Sequence, residues 1–360
     1  MLTLNGHQLV SRYAPVREAD IQASLIPEGA EEAWCYGVGN GELVRACLRR
    51  GVKRLHVVRM NQEAIDAADL SGTDIPGRVC FTEPLAASVK TLRVPFACSP
   101  VEVMHADPDA WHLRDRIRAV LNEEYNGRRL SKLAEAKWDG HRKLNAELCD
   151  PSVTELFHRT KAGTAVVCGA GPTLSSAYGF IRRNPTATII AASSALKPLE
   201  AVQIYPETIC LIDEMADMVA HVEGAYSSAP LAYRISVNPA VPRSWRGRRY
   251  VIGDDDLFRG GSVIHVAVDL AVKMGAHTVY LAGCDFGYPK MESHVDGAAK
   301  TGTPGLLEYW NGFGEILRTD ENLCQYRVHL EEYIRMHPEV KFYKLGRAGA
   351  DVAGAEWVDA

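Results

Sequence analysis

Short, nearly unbroken apolar runs recur along the chain, each followed by a glycine or an acid and then by residues with helical spacing. Runs this short and this uniformly apolar predict strands buried on both faces of a parallel sheet. In the first third they fall at Ala33 to Val38 and at Arg54 to Val58, with a helix from Glu42 to Arg50 between them. After Lys161 they return at Ala165 to Cys168, Thr188 to Ala192, Thr208 to Ile212 and Thr278 to Ala282, again with helices between. Strands alternating with helices predict an α/β fold with a parallel sheet. From Ala110 to about Leu148 the pattern changes to charged and helical. Trp111, Ile117, Val120, Leu121, Leu130 and Leu133 suit one apolar stripe, interrupted near Asn126 and Gly127, and Pro151 marks the end. The organisation expected is a small N-terminal Rossmann-like α/β domain over 1–108, a helical connector over 109–152, and a larger Rossmann-like parallel-sheet domain over 153–360.

Composition changes this picture little. With 47% apolar and 24% charged residues in 360, the chain is an ordinary globular one. A formal charge of −5 gives no general attraction to nucleic acid or acidic membranes. The local run Arg243, Arg246, Arg248 and Arg249 reads as a solvated loop. The start, MLTLNGHQLV, has no basic segment followed by an apolar core, and no apolar run approaches the roughly 20 residues that span a bilayer. A cytoplasmic protein without membrane insertion is expected. Nine scattered cysteines form no CxxC pair, which argues against structural disulfides and a zinc site.

The chemistry concentrates in the turns. In TAVVCGAGPTLSS, residues 164–176, a buried strand runs into Gly169 and Gly171, which let the backbone turn sharply and approach a ligand, and Pro172 suits the first turn of a helix. Unpaired amides at such a helix start favour an anion. The competing reading is a tight connection with no ligand. Gly37, Gly39 and Gly41 make a similar turn in the first third, but the second strand there runs into Arg59, Met60 and Asn61, without the acid that normally holds a ribose. That points to a structural or docking module.

Asp213, just beyond a strand in CLIDE, is placed to hold a metal, a ribose or a substrate hydroxyl, or simply to cap the residues that follow. Gly260, Gly261 and Ser262 precede the helix Val263 to Met274 and offer a second helix start, with Ser262 as its cap. The densest segment ends a strand: Asp285 and Tyr288, then His294 and Asp296, bring a carboxylate, a donor, a base near neutral pH and a second carboxylate to one loop. Asp254, Asp255 and Asp256 suggest a metal cluster, or a solvated turn.

Taken in order, GAGPTLSS, the strand ending in Asp213, GGSVIHVAVDLAVKMGA, YLAGCDFGY with SHVDG, and GADVAG at 349–354 resemble the central domain shared by motility accessory factors, which are flagellin glycosyltransferases, and the archaeal-type 6-hydroxymethylpterin diphosphokinases. The resemblance runs from about Val153 to the C terminus. Through the similarity of motility accessory factors to bacterial sialyltransferases, it implies a sialyltransferase-like fold and transfer of a nonulosonic acid (pseudaminic, legionaminic or sialic acid type) from a CMP-sugar to a hydroxyl, including serine or threonine of flagellin. It implies that Gly169, Gly171, Pro172, Thr173, Gly260, Gly261 and Ser262 hold the phosphate and ribose. Ser193, Ser194 and Asp213 would also contact the nucleotide. His294 or Asp285 is the implied base, Tyr288 a donor to the departing phosphate, and Asp296 a substrate contact.

The chain departs from the family pattern in having Thr173 where serine is common and Glu214 where proline is common. Motility accessory factors usually carry a further C-terminal helical region, so with the sequence closing at Ala360 an acceptor other than flagellin, such as a surface glycan or another small molecule, is expected. The alternative implied by the resemblance is pyrophosphate transfer from ATP to a pterin alcohol, with Mg²⁺ on Asp213, Glu214, Asp217 and Asp285. A third reading is a nucleotide-binding protein that keeps the fold without the chemistry.

Overall fold

The structure, a computed structural model, describes residues 3–84, 92–129, 131–160, 162–298 and 307–359, with the side chains of 123–137 outside the described set. The chain forms two compact units, Met1–Asn122 and Glu123–Ala360.

The first unit holds a four-stranded parallel sheet: β1 (Glu32–Tyr36), β2 (Arg54–Val58), β3 (Val79–Thr82) and β4 (Phe96–Cys98), in the order β3-β2-β1-β4. Helices α1 (Pro15–Ala23) and α2 (Glu42–Arg49) pack together with the sheet around Ala23, Ile26, Cys35, Val44, Cys47, Leu55 and Val57. The strands β3 and β4 lack a clear apolar run; β3 exposes Cys80 and Phe81, and β4 is three residues long.

The stretch expected to be a helical connector forms α3 (Trp111–Arg129) and α4 (Ser131–Ala146). Gly127 sits inside α3 instead of interrupting it, because a glycine in a long helix costs only about 1 kcal/mol. Trp111 and Ile117 are buried, whereas Val120 and Leu121 are exposed, so the expected stripe follows a different line through Leu113 and Ile117. Leu130 and the side chain of Leu133 lie outside the described residues.

The second unit is built on an eight-stranded sheet in which every neighbouring pair is parallel. Its strands are β5 (Thr164–Cys168), β6 (Thr188–Ala192), β7 (Thr208–Leu211), β8 (Leu231–Arg234), β9 (Arg249–Ile252), β10 (Thr278–Ala282), β13 (Lys341–Leu345) and β14 (Glu356–Val358). A separate antiparallel hairpin is formed by β11 (Leu307–Trp310) and β12 (Ile316–Thr319). The sheet order is β9-β8-β7-β6-β5-β10-β13-β14. The chain therefore builds outward from β5 in one direction and then returns to start again on its other side at β10, so the loops leaving β5 and β10 diverge. That crevice is where open α/β sheets bind ligands.

Three helices matter for the site: α5 (Leu174–Arg183), α6 (Val263–Lys273) and α7 (Glu321–Met336). Residues 264–271 of α6 are all buried, as expected of a helix packed along the face of β5, β6 and β7 and covered on its other side. The basic run is not a solvated loop throughout. Arg249 begins β9 and makes a two-pronged pair with Asp150 at 2.8 and 3.0 Å, and Arg243 donates to the carbonyls of Pro239 and Leu144.

Candidate active site

The site is set by two loops that meet at the divergence point. The turn after β5 carries Gly169 and Gly171, and the loop after β10 carries Gly283 to Tyr288. They are hydrogen-bonded together: the amides of Gly169 and Gly171 donate to the carbonyls of Ala282 and Gly283 at 2.8 Å each. Thr173 donates its backbone amide to Asp285 Oδ2 at 2.8 Å and its hydroxyl to Asp285 Oδ1. The turn amides read from sequence as a phosphate cradle are thus largely claimed from within the chain. Asp285 takes the place of the anion at the start of α5.

Both turn glycines are explained by this packing. A Cβ on Gly169 would lie 2.6 Å from the Gly283 carbonyl oxygen, and one on Gly171 would lie 2.5 Å from Asp285 Oδ2. Asp285 is buried, and burial raises its carboxyl pKa against the opposing pull of Lys344 and Thr173. Lys344, also fully buried, donates to the Ala350 carbonyl at 2.7 Å and is pushed down to about 8, chiefly by burial. Gly349 of GADVAG makes room for both side chains, since a Cβ there would stand 2.7 Å from Asp285 Oδ1 and 2.8 Å from Lys344 Nζ.

Over these loops lies a cavity of about 400 Å³, lined by Gly169, Gly171, Ser194, Ser262, Tyr288, His294, Asn322 and Tyr326 among others. A second lobe of about 590 Å³ shares Ser194, Ser262, Val263, His294 and Tyr326 with it and extends to Ser193, Asp213, Asp217, His221, Arg234 and Gly261. His294 therefore stands where the two lobes join. Its Nδ1 is buried and, among the described residues, has no hydrogen-bond partner, and burial together with His221 lowers its pKa below the usual histidine value. An imidazole of this kind is neutral near pH 7 and has a nitrogen available for a proton.

Tyr288 lines the cavity with its hydroxyl already engaged. Its hydroxyl donates to Asp320, the N-cap of α7, whose other oxygen accepts from the Leu323 amide at 2.9 Å. Burial and Asp320 both raise the phenol pKa, which holds the Tyr288 proton in this contact.

Ser262 caps α6 as expected, but the third helical residue of the capping box is His265: its Nδ1 accepts from the Ser262 amide at 3.1 Å, and Nε2 donates to the Tyr326 carbonyl at 2.9 Å. Burial lowers His265 to about 4, in keeping with this neutral tautomer. Gly260 is a packing glycine whose Cβ would strike the His265 ring, and it lines neither lobe.

Other expected site residues separate from the main cleft. Pro172 and Thr173 line a different cavity of about 520 Å³ with Pro289, Lys290, Phe313 and Arg347. Asp296 is exposed and lines neither lobe. Asp213 lines the outer lobe and also accepts from the Met215 amide at 3.0 Å.

For Mg²⁺, the donor set does not fit. Asp285 has both oxygens engaged by Thr173, Glu214 accepts from Ser236 at 2.9 Å, and among the described residues no three His, Cys, Asp or Glu side chains are grouped to hold a metal ion. The Asp254–Asp256 turn is likewise paired: Asp254 with Arg259 at 2.6 Å, and Asp256 with the Gly253 amide at 2.7 Å. His221, whose Nδ1 lies 3.1 Å from Ser193 Oγ, and Arg234, Asn322 and Tyr326 were not legible as site residues. The one available signal was Asp320 ahead of an apolar-periodic stretch, which marks the start of α7 and so the helix bearing Asn322 and Tyr326.

Among the described residues no helix is long and apolar enough to cross a membrane. No curated protein matches the chain significantly in sequence. A MAf glycosyltransferase from Magnetospirillum magneticum AMB-1 is similar in structure, with a TM-score of 0.52 and 17% identity over 98% of this chain and 62% of that one. The chain thus spans less than two thirds of that protein and shares its fold. Residues 142–291, which carry the strands β5 to β10 and both diverging loops, match the family described as 6-hydroxymethylpterin diphosphokinase MptE-like.

Proposed function

We propose that the protein is a glycosyltransferase that moves a nonulosonic acid from a CMP-sugar to a hydroxyl acceptor. The observation that carries this reading is the charge of the cleft. Arg234 is the only lysine or arginine among the described residues lining its two lobes, against carboxylates at 213, 214, 217, 285 and 320. A donor with a single phosphodiester suits such a lining better than a triphosphate, whose several charges would face those acids. The fold shared with a MAf glycosyltransferase supports the same class.

In this reading the hydroxyls of Ser194, Ser262 and Tyr326 and the amide of Asn322 receive the nucleotide phosphate and ribose, near the positive end of α6. His294, at the junction of the lobes, takes the proton from the acceptor hydroxyl as that oxygen bonds to the anomeric carbon. The bond from the anomeric carbon to the phosphate oxygen breaks through an oxocarbenium-like state, and CMP leaves with the bonding pair. Asp285 is a positioning residue here, since both of its oxygens hold Thr173. The acceptor is a glycan or protein hydroxyl.

The second reading, diphosphate transfer from ATP to a pterin alcohol, is favoured by the description of the family matched at 142–291. It requires Mg²⁺, for which the carboxylates are not grouped. Thermal unfolding with CMP, a CMP-nonulosonate and ATP, each with and without Mg²⁺, separates the two. Ligand at 100 times its dissociation constant adds about 2.7 kcal/mol. Stabilisation by the cytidine compounds without Mg²⁺ is expected; stabilisation by ATP with Mg²⁺ alone would put the diphosphokinase first.

A further inference from the structure

The glycine turn of the first unit repeats the arrangement found around Asp285. After β1, the amides of Val38 and Gly39 point into the crevice between β1 and β4, where a sheet of this order places a ligand anion. Glu102, which follows β4, fills that position: its Oε1 accepts from Val38 at 2.8 Å and from Gly39 at 2.6 Å. The residue is fully buried, and its Oε2 has no hydrogen-bond partner among the described residues. A Cβ on Gly37 would lie 2.8 Å from the Glu102 carboxyl carbon, as one on Gly171 would meet Asp285. In each unit, then, an acid from the segment beyond the neighbouring strand accepts from the backbone at the glycine turn (Val38 and Gly39) or at the helix start that follows it (Thr173), and a turn glycine makes room for that acid.

We propose that both glycine turns are closed by the chain's own carboxylates, Glu102 and Asp285, in the positions where related turns hold a ligand phosphate, so that neither turn binds phosphate while its carboxylate is in place. The two acids differ in their surroundings. Asp285 has Lys344 behind it; Glu102 has Ser99, Cys35 and Cys98 around it and, among the described residues, no lysine or arginine acting on it. Removing either side chain leaves amides and a space of carboxylate size, a seat for a small anion. For the second unit, the donor phosphate is then left to the side chains across the cleft; that consequence rests on the transferase reading, and the test below does not.

Amide NMR of the full chain reads the proposal directly. In the wild type, saturating inorganic phosphate is expected to leave the Val38, Gly39 and Thr173 amide resonances unmoved. In Glu102→Ala, exchange of the Val38 and Gly39 amides should speed up by about tenfold or more, the loss of one hydrogen bond to a charged group, and formate should restore protection. Asp285→Ala should behave likewise at Thr173. Phosphate-induced shifts at these amides in the wild type would overturn the proposal, as would variants whose amides stay protected without formate. Should the variants fail to fold, the wild-type titration decides alone.

Discussion

Glu102 offers a quantitative test of what burial does to a self-capped turn. Its carboxyl is raised from 4.5 to about 7, first by burial and against the Gly39 and Val38 amides and the Ser99 side chain, which favour its charged form. A folded-state pKa above the unfolded one means that the folded form holds the proton more tightly. The stabilising contribution is fully present below pH 4.5 and is lost as pH rises through 7. Two to three pKa units correspond to about 3 kcal/mol between pH 4 and pH 8. Glu102→Gln keeps the shape and an acceptor oxygen but cannot ionise, so its stability should lack this component, while other titrating groups cancel between the two proteins. Hydrogen exchange of peptides covering β1 isolates the unit concerned. The ratio of protection, variant over wild type, should rise about a hundredfold from pH 4 to pH 8. A ratio that stays flat across this range would refute the argument that a buried carboxylate without a cationic partner among the described residues closes the turn.

Gly171→Ala should cost about 1–3 kcal/mol in chemical denaturation, because its methyl meets Asp285 Oδ2 and the Gly283 carbonyl with no flexible group to yield. Asp150→Asn should lower stability by about 2 kcal/mol, measured the same way, since Asp150 accepts from both Arg249 nitrogens and from the Tyr233 hydroxyl at 2.9 Å. If His294 is the base, kcat/KM should rise with pH along a limb whose apparent pKa lies below 6.5, the direction set by burial and His221, and then level off. His294→Gln should lose that limb and about a hundredfold or more in kcat; a variant that keeps both would remove the assignment.

Much of the architecture was written locally. Strands such as β5, β6 and β10 are continuous apolar runs, because a central parallel strand is buried on both faces, and so they stand out without any knowledge of their partners. The turn at Gly169–Pro172 was visible for the same reason: glycine and proline constrain the backbone wherever they occur. The strands β8, β9, β13 and β14 were not visible. Each is three to five residues long and mixes arginine, lysine or glutamate with its apolar positions, so that only its neighbours in the sheet define it.

The site divides along the same line. Residue types and their order placed Ser194 and Asp285 at strand ends, Ser262 at a helix start and His294 in the loop after a strand, and the parallel topology brought them to one edge. What each side chain does was decided by partners far away in sequence: Thr173 by Asp285, Tyr288 by Asp320, Ser193 by His221, and Gly39 by Glu102. A glycine-rich turn reads the same in sequence whether its amides face a phosphate or a carboxylate of the same chain. Hydrogen-bond demand is local, but its satisfaction is not, and only the tertiary structure supplies the acceptor.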